Sequence, residues 1–164
     1  MSGSKTQPED QQTQLQIETV PYDHPVAAQL VHAALTEIGE RYGGEGDETP
    51  VEASDFEPPR GTFLIARLDG RPVGCGAWRS HDEDTAEIKR MYTVPEARGR
   101  GIARTLLETL EASARAAGKK RIILETGDRQ PEAIALYESR GYQRIPNYGY
   151  YRDDPGTISF GRTI

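Results

Sequence analysis

Residues 96 to 107 read EARGRGIARTLL, with two glycines around one arginine at the point where a helical run begins. A helix start leaves several backbone N–H groups unpaired and carries about half a positive charge. Glycines beside that start remove the Cβ atoms that would hold a ligand off, so the N–H groups of the turn can wrap a phosphate. Arg98, Arg100 and Arg104 add positive charge around the same turn. The stretch therefore reads as a pyrophosphate cradle; the alternative is a tight turn whose glycines serve only the backbone. No Gly-Lys-Ser/Thr follows, so it is not a Walker A loop, and it lacks the third glycine of a dinucleotide fingerprint. The single cysteine, Cys75, lies in an apolar run and reads as a buried structural thiol. The three histidines and that cysteine have no metal-ligand spacing, so no metal is expected.

The elements that must position this turn follow from periodicity. LQIETV (15–20) alternates as a strand, and Val26, Leu30, Val31, Ala34, Leu35 and Ile38 recur at helical spacing up to Gly43-Gly44. Residues 43 to 61 form a long polar loop rich in glycine and proline. TFLIARL (62–68) and RPVGCGAWR (71–79) flank Asp69-Gly70, a strong hairpin signal. AEIKRMYTV (86–94) is a third strand of this group, RIILET (121–126) follows the RGRG helix, and PEAIALYESR is a helix with Pro131 in its first turn and Gly141 beyond its end. YQRIPNY and TISFGR supply the last strands. The order β-α-β-β-β-α-β-α-β-β predicts an α/β (α+β) domain: a mixed, mostly antiparallel sheet in which 86–94 and 121–126, joined through a helix, run parallel.

The 164 residues suit one domain, expected over 15–164 behind a disordered lead at 1–14. The lead has no apolar h-region, no run is long enough to span a bilayer, and one cysteine fits a reducing cytoplasm. A net charge of −6 argues against general nucleic-acid binding. The charge is uneven: residues 40–57 carry seven acids and one base, and residues 98–121 seven bases and two acids.

RGRGIA fits the Arg/Gln-x-x-Gly-x-Gly/Ala signature of the GCN5-related N-acetyltransferases (GNAT), and MYTVPEARGRGIARTLLETLEASARAAG resembles that family's strand, loop and helix. QPEAIALYESRGY is similar to its second signature. The resemblance is strong over residues 62 to 145. It implies helices on both faces of the sheet, splayed parallel fourth and fifth strands, and acetyl-CoA held between them. On that reading Arg98, Gly99, Arg100, Gly101, Ile102, Ala103 and Arg104 surround the pyrophosphate. Met91, Tyr92 and Thr93 pair their backbone with the pantetheine arm, as an added strand would. Gln130 stands where the family has asparagine; it either bonds the pantetheine arm or caps the next helix.

Acetyl transfer to an amine needs a proton removed from the ammonium, whose pKa is near ~10.4 for a lysine, an N–H donor for the tetrahedral oxyanion, and a proton for the departing thiolate. The resemblance makes Tyr137 the general acid; otherwise it is a core tyrosine. It makes Glu87 the base; otherwise Glu87 is a solvated strand end. Strict alternation would put Glu87, Lys89, Met91 and Thr93 on one face. A backbone N–H near Met91 or Tyr92 would serve the oxyanion.

The acidic loop would wall the acceptor site and draw a cationic primary amine, on a small molecule, an amino acid or a protein. Lys89 and Arg90 could instead hold an acceptor carboxylate. Tyr148, Tyr150 and Tyr151 either line that cleft or are strand residues. The expectation is direct attack in a ternary complex, with homodimers formed through the last strands, as in relatives. The competing readings are a non-catalytic acyl-CoA sensor and an interaction domain with a mere turn at RGRG.

Overall fold

The computed structural model describes residues 14–164, so the lead expected at 1–14 falls, apart from Gln14, outside the described residues. The chain forms strands β1 (Leu15–Thr19), β2 (Gly61–Leu68), β3 (Arg71–Ser80), β4 (Thr85–Thr93), β5 (Arg121–Gly127), β6 (Gln143–Ile145) and β7 (Thr157–Thr163), with helices α1 (Pro25–Tyr42), α2 (Ile102–Ala116) and α3 (Pro131–Ser139). One seven-stranded sheet has the order β1-β2-β3-β4-β5-β7-β6. Among the described residues only β4 and β5 are parallel neighbours; the other pairs are antiparallel, as the hairpin signals predict.

The helices cover both faces. On one face, Ile102, Leu106, Leu107, Leu110 and Ala114 of α2 are buried against Leu64, Trp78, Ile88, Ile122 and Leu124, with Tyr137 of α3 in the same cluster. On the other, Ala27, Leu30 and Val31 of α1 pack with Phe56, Phe63, Ile65, Cys75 and Ala77. Cys75 is fully buried, burial pushes its thiol up to about 12, and its Sγ donates to the Arg90 carbonyl at 3.2 Å. It is a structural thiol.

Two expectations need correction. The strand read over YQRIPNY is only Gln143–Ile145. Pro146 has no N–H for a ladder, and residues 146–156 become a turn-rich crossing to β7. The alternation along β4 also breaks. Cys75 pairs with Tyr92 and Ala77 with Lys89, so Arg90 and Met91 together face Gly76: a β-bulge, with Arg90 at φ +61°. Beyond it the sides exchange. Glu87 and Lys89 keep to the α1 face, while Met91 packs with Ile88 against α2. Gly76 leaves room for this packing, because a Cβ there would lie 2.5 Å from the Met91 Sδ and 3.1 Å from Leu110 and would push the Met91 side chain aside.

Candidate active site

The β4–β5 ladder has three pairs, ending at Glu87 and Ile123. Past that point β5 stays paired with β7 as far as Gly127, while β4 carries the bulge and continues along β3 alone. A bulge bends its strand and raises its twist, and the two strands part. The gap between them opens a cleft of about 430 Å³ that runs from the RGRG turn, past the free edge of β4, to α3 and β5. Met91, Tyr92 and Thr93 line it from β4, Gln130 and Tyr137 from α3 and its approach, and Leu124, Glu125 and Thr126 from β5.

At one end, Gly99 and Gly101 have φ of +83° and +79°, a left-handed conformation that L side chains rarely adopt. Turn conformation therefore accounts for the glycines by itself, and the space before them is open. Gly101 is the N-cap of α2 and supplies no side-chain cap. The N–H groups of Ile102, Ala103 and Arg104 thus begin a 15-residue helix facing the cleft. The three arginines differ. Arg98 is committed: its Nη2 donates to both Glu37 carboxylate oxygens at 2.6 Å and its Nε to the Thr93 carbonyl at 3.0 Å. Arg100 and Arg104 are exposed, and Arg104 has only a 3.5 Å pair with Glu108. Gln130 is the N-cap of α3 yet makes no side-chain capping bond, and its amide, beside the cleft, has no partner among the described residues.

At the other end stand the titratable groups. Tyr137 is 5% exposed, its ring held edge-on to Tyr142 at 5.7 Å, and burial raises its hydroxyl well above the ordinary range. It keeps its proton at neutral pH. Glu87 is 4% exposed and does not line the cleft. Arg79 Nε donates to its Oε1 at 3.0 Å, and the Tyr148 hydroxyl to its Oε2 at 2.8 Å. Glu125 of RIILET, which the sequence does not single out, does line the cleft. Its Oε2 accepts from the Gly149 N–H at 3.2 Å, and burial, then the nearby charge of Glu87, raises its pKa.

The acidic loop brings the carboxylate of Asp47 here. Glu45, Glu48 and Glu52 are exposed, whereas Asp47 lines the cleft and is already paired. Lys89 Nζ and Arg90 Nη1 converge on its Oδ2 at 2.9 and 2.7 Å, and its Oδ1 accepts from the Thr49 N–H at 2.9 Å. Arg90 Nε stays buried without a partner among the described residues. Tyr151 is also turned inward, its hydroxyl accepting from the Glu48 N–H at 2.5 Å, while Tyr150 is exposed.

Burial opposes the Asp47 charge, but Lys89, Thr49 and Arg90 outweigh it and lower the pKa to about 2. A carboxylate depressed in the fold adds stability above its unfolded pKa and loses it as pH falls toward the folded one. Asp47→Asn should therefore cost about 2 kcal/mol near pH 7 and only about 0.4 kcal/mol near pH 2. Urea unfolding across that range checks this; a penalty independent of pH would contradict it.

The sequence matches the model of the acetyltransferase (GNAT) family over residues 28–142. It is 39% identical over 128 residues to an IAA acetyltransferase of Azospirillum brasilense, covering 77% of this chain and 83% of that one. It is 34% identical over 119 residues to the N-acetylaspartate synthetase of Rattus norvegicus, covering 72% of this chain but 40% of that longer protein. Among solved structures, a candidate acyl-CoA N-acyltransferase of Klebsiella pneumoniae superposes with a TM-score of 0.77 at 31% identity, covering 91% of this chain and 97% of that one. A GNAT acetyltransferase of Elizabethkingia anophelis, solved with acetyl-CoA bound, shares the fold with a TM-score of 0.66 at 18% identity, covering 92% and 98%. With a mixed sheet parted at its one parallel pair, a glycine turn opening α2 and this family match across most of its length, the chain belongs to the GNAT family and is an N-acetyltransferase.

Proposed function

We propose that the protein transfers the acetyl group of acetyl-CoA to a primary amine by direct attack in a ternary complex. The observation that carries this reading is the parting of β4 and β5, which joins an uncapped helix start to a buried, protonated tyrosine through one cleft. The residues present fit acetyl-CoA. The open space before Gly99 and Gly101 takes a pyrophosphate against the N–H groups of Ile102, Ala103 and Arg104, with Arg100 and Arg104 free to add charge. The unpaired edge of β4 at Met91, Tyr92 and Thr93 takes the pantetheine amides as a strand would, and the uncommitted Gln130 amide lies within the same cleft.

When bound, acetyl-CoA supplies an activated acyl carbon and a thiolate leaving group. The chain supplies the rest. Beyond Glu87 the edge of β4 that faces β5 has no strand partner among the described residues, and a backbone N–H near Met91 or Tyr92 would hold a developing oxyanion. Tyr137 holds a proton on its hydroxyl for the leaving sulfur.

A second reading narrows the acceptor. Two buried cations, Lys89 and Arg90, meet one carboxylate, and Arg90 Nε is unfilled. This favours an amine that also carries a carboxylate, and the relatives named N-acetylaspartate synthetase, from rat, human, mouse and zebrafish, support it. Thiol release with L-aspartate, L-glutamate, spermidine and a lysine peptide tests both readings. Turnover of any, with no acetyl group left on the protein by intact mass, supports the reaction. Preference for the amino acids supports the second reading. No turnover with any amine, or an acetylated protein intermediate, counts against direct transfer.

A further inference from the structure

Within the proposed reaction, on which this inference rests, we propose that Glu125 takes the proton from the acceptor amine and that Glu87 acts through it as a positioning residue. Three features of the geometry assign these roles. Glu125 lies two residues past the last β4–β5 pair, where the strands have parted, and it lines both the main cleft and a smaller adjoining pocket that reaches Tyr151. Its Oε1 has no hydrogen-bond partner among the described residues, while Oε2 is held by Gly149. Glu87 lies off the cleft with both oxygens committed to Arg79 and Tyr148.

The site around Glu125 is built to hold it. A Cβ on Gly149 would lie 2.8 Å from Oε1 and 2.9 Å from Oε2, so a side chain there would displace this carboxylate from its position against the 146–156 segment. The charged and titratable groups around it are Glu87 and Lys89 of β4, Asp47 of the loop after α1, and Tyr148 of the crossing segment, with Tyr151 and Asp154 across the smaller pocket. Burial and the Glu87 charge raise the proton affinity of Glu125; Lys89 and the Gly149 N–H oppose them less strongly. Two carboxylates on one face thus have separate environments, one fixed as an ion pair and one free to take a proton.

The steps balance. The ammonium gives one proton to a Glu125 oxygen, and the freed nitrogen lone pair forms the N–C bond. The C–S bond then breaks with its electron pair on sulfur, which takes the Tyr137 proton, while the nitrogen releases its second proton to solvent. Tyr137 regains a proton from solvent and Glu125 releases its own, for a net release of one.

The test is the pH dependence of kcat/KM for wild type, Glu125→Gln and Glu87→Gln, with the best amine of the panel above and with acetyl-CoA binding measured alongside. In Glu125→Gln the amide oxygen still accepts from the Gly149 N–H, so the fold is retained. That substitution should lower the rate at pH 7 about a hundredfold, leave acetyl-CoA affinity unchanged and replace the acid limb by a steady rise toward the amine's own pKa. Glu125→Asp should restore part of the limb. Glu87→Gln should keep the limb and move it to lower pH, because a like charge has gone. An unaltered limb in Glu125→Gln, or loss of the limb in Glu87→Gln, overturns this assignment alone. Absence of wild-type turnover overturns the parent reading and this assignment with it.

Discussion

Tyr137→Phe should lower kcat about a hundredfold, the typical worth of a positioned proton donor, and leave acetyl-CoA affinity almost unchanged. The ring, not the hydroxyl, makes the packing: Tyr142 and Phe160 lie at 5.7 and 6.1 Å between centroids. Phenylalanine keeps those contacts, and the hydroxyl gives up no hydrogen bond among the described residues when it is removed. What is lost is a proton that burial holds on the oxygen at and above neutral pH, where a thiolate with an ordinary pKa near ~8.5 must leave. A fall in kcat with the dissociation constant unmoved separates an interaction made late in the reaction from one made on binding. Thiol release and binding calorimetry on both proteins measure it. A Phe variant with wild-type kcat would remove Tyr137 from the chemistry.

The largest effect on stability is expected at Glu111, far from the cleft. Glu111 is a charged residue of α2 at 2% exposure. Arg140 Nη2 donates to its Oε1 at 2.6 Å, and the Tyr142 hydroxyl and Arg162 Nη1 donate to its Oε2 at 2.9 and 3.0 Å. One carboxylate thereby ties α2 to the end of α3 and to β7, the elements that seat Tyr137. Glu111→Ala leaves the buried Tyr142 hydroxyl and the part-buried Arg162 without this partner, and Arg140 with Glu108 alone, and should cost about 3 kcal/mol, the lower end for breaking a buried pair. Urea unfolding reads this directly, and a loss below about 1 kcal/mol would mean water replaces the carboxylate. Glu111→Gln keeps acceptance at one oxygen and should lie between.

Most of the fold was legible because its strands and helices are locally periodic and sharply punctuated. Asp69-Gly70 turns the β2–β3 hairpin, Pro131 and Gly141 bracket α3, and the α2 stripe from Ile102 to Ala114 is buried as its spacing predicts. The β4 bulge was not legible, since AEIKRMYTV alternates well enough either way. Its signal lies on the partner strand, in Gly76 of GCGAW, where a strand glycine marks a bulge or close approach. Asp47 is 42 residues from Lys89, so the ion pairs that occupy the acidic loop appear only on folding. Glu125 was missed for a related reason. In RIILET it reads as the polar end of a strand, and its place in the cleft comes from the parting of β4 and β5, which no local pattern records.

Acetyl-CoA binding tests the central claim most directly: that the parted strands hold this cosubstrate with its pyrophosphate on the α2 turn. Substituting Gly101 is a blunt probe, since a side chain at φ +79° costs about 1–2 kcal/mol of backbone strain by itself. Arg100→Glu/Arg104→Glu changes only exposed charge beside the turn. Calorimetric titration of wild type and this double variant is the measurement. Saturable binding weakened at least about tenfold in the variant, with an unchanged unfolding midpoint, is the predicted result, since charge-assisted hydrogen bonds are worth about 1.5–3 kcal/mol each. Equal affinity in the two proteins, or no binding by wild type, would contradict the account.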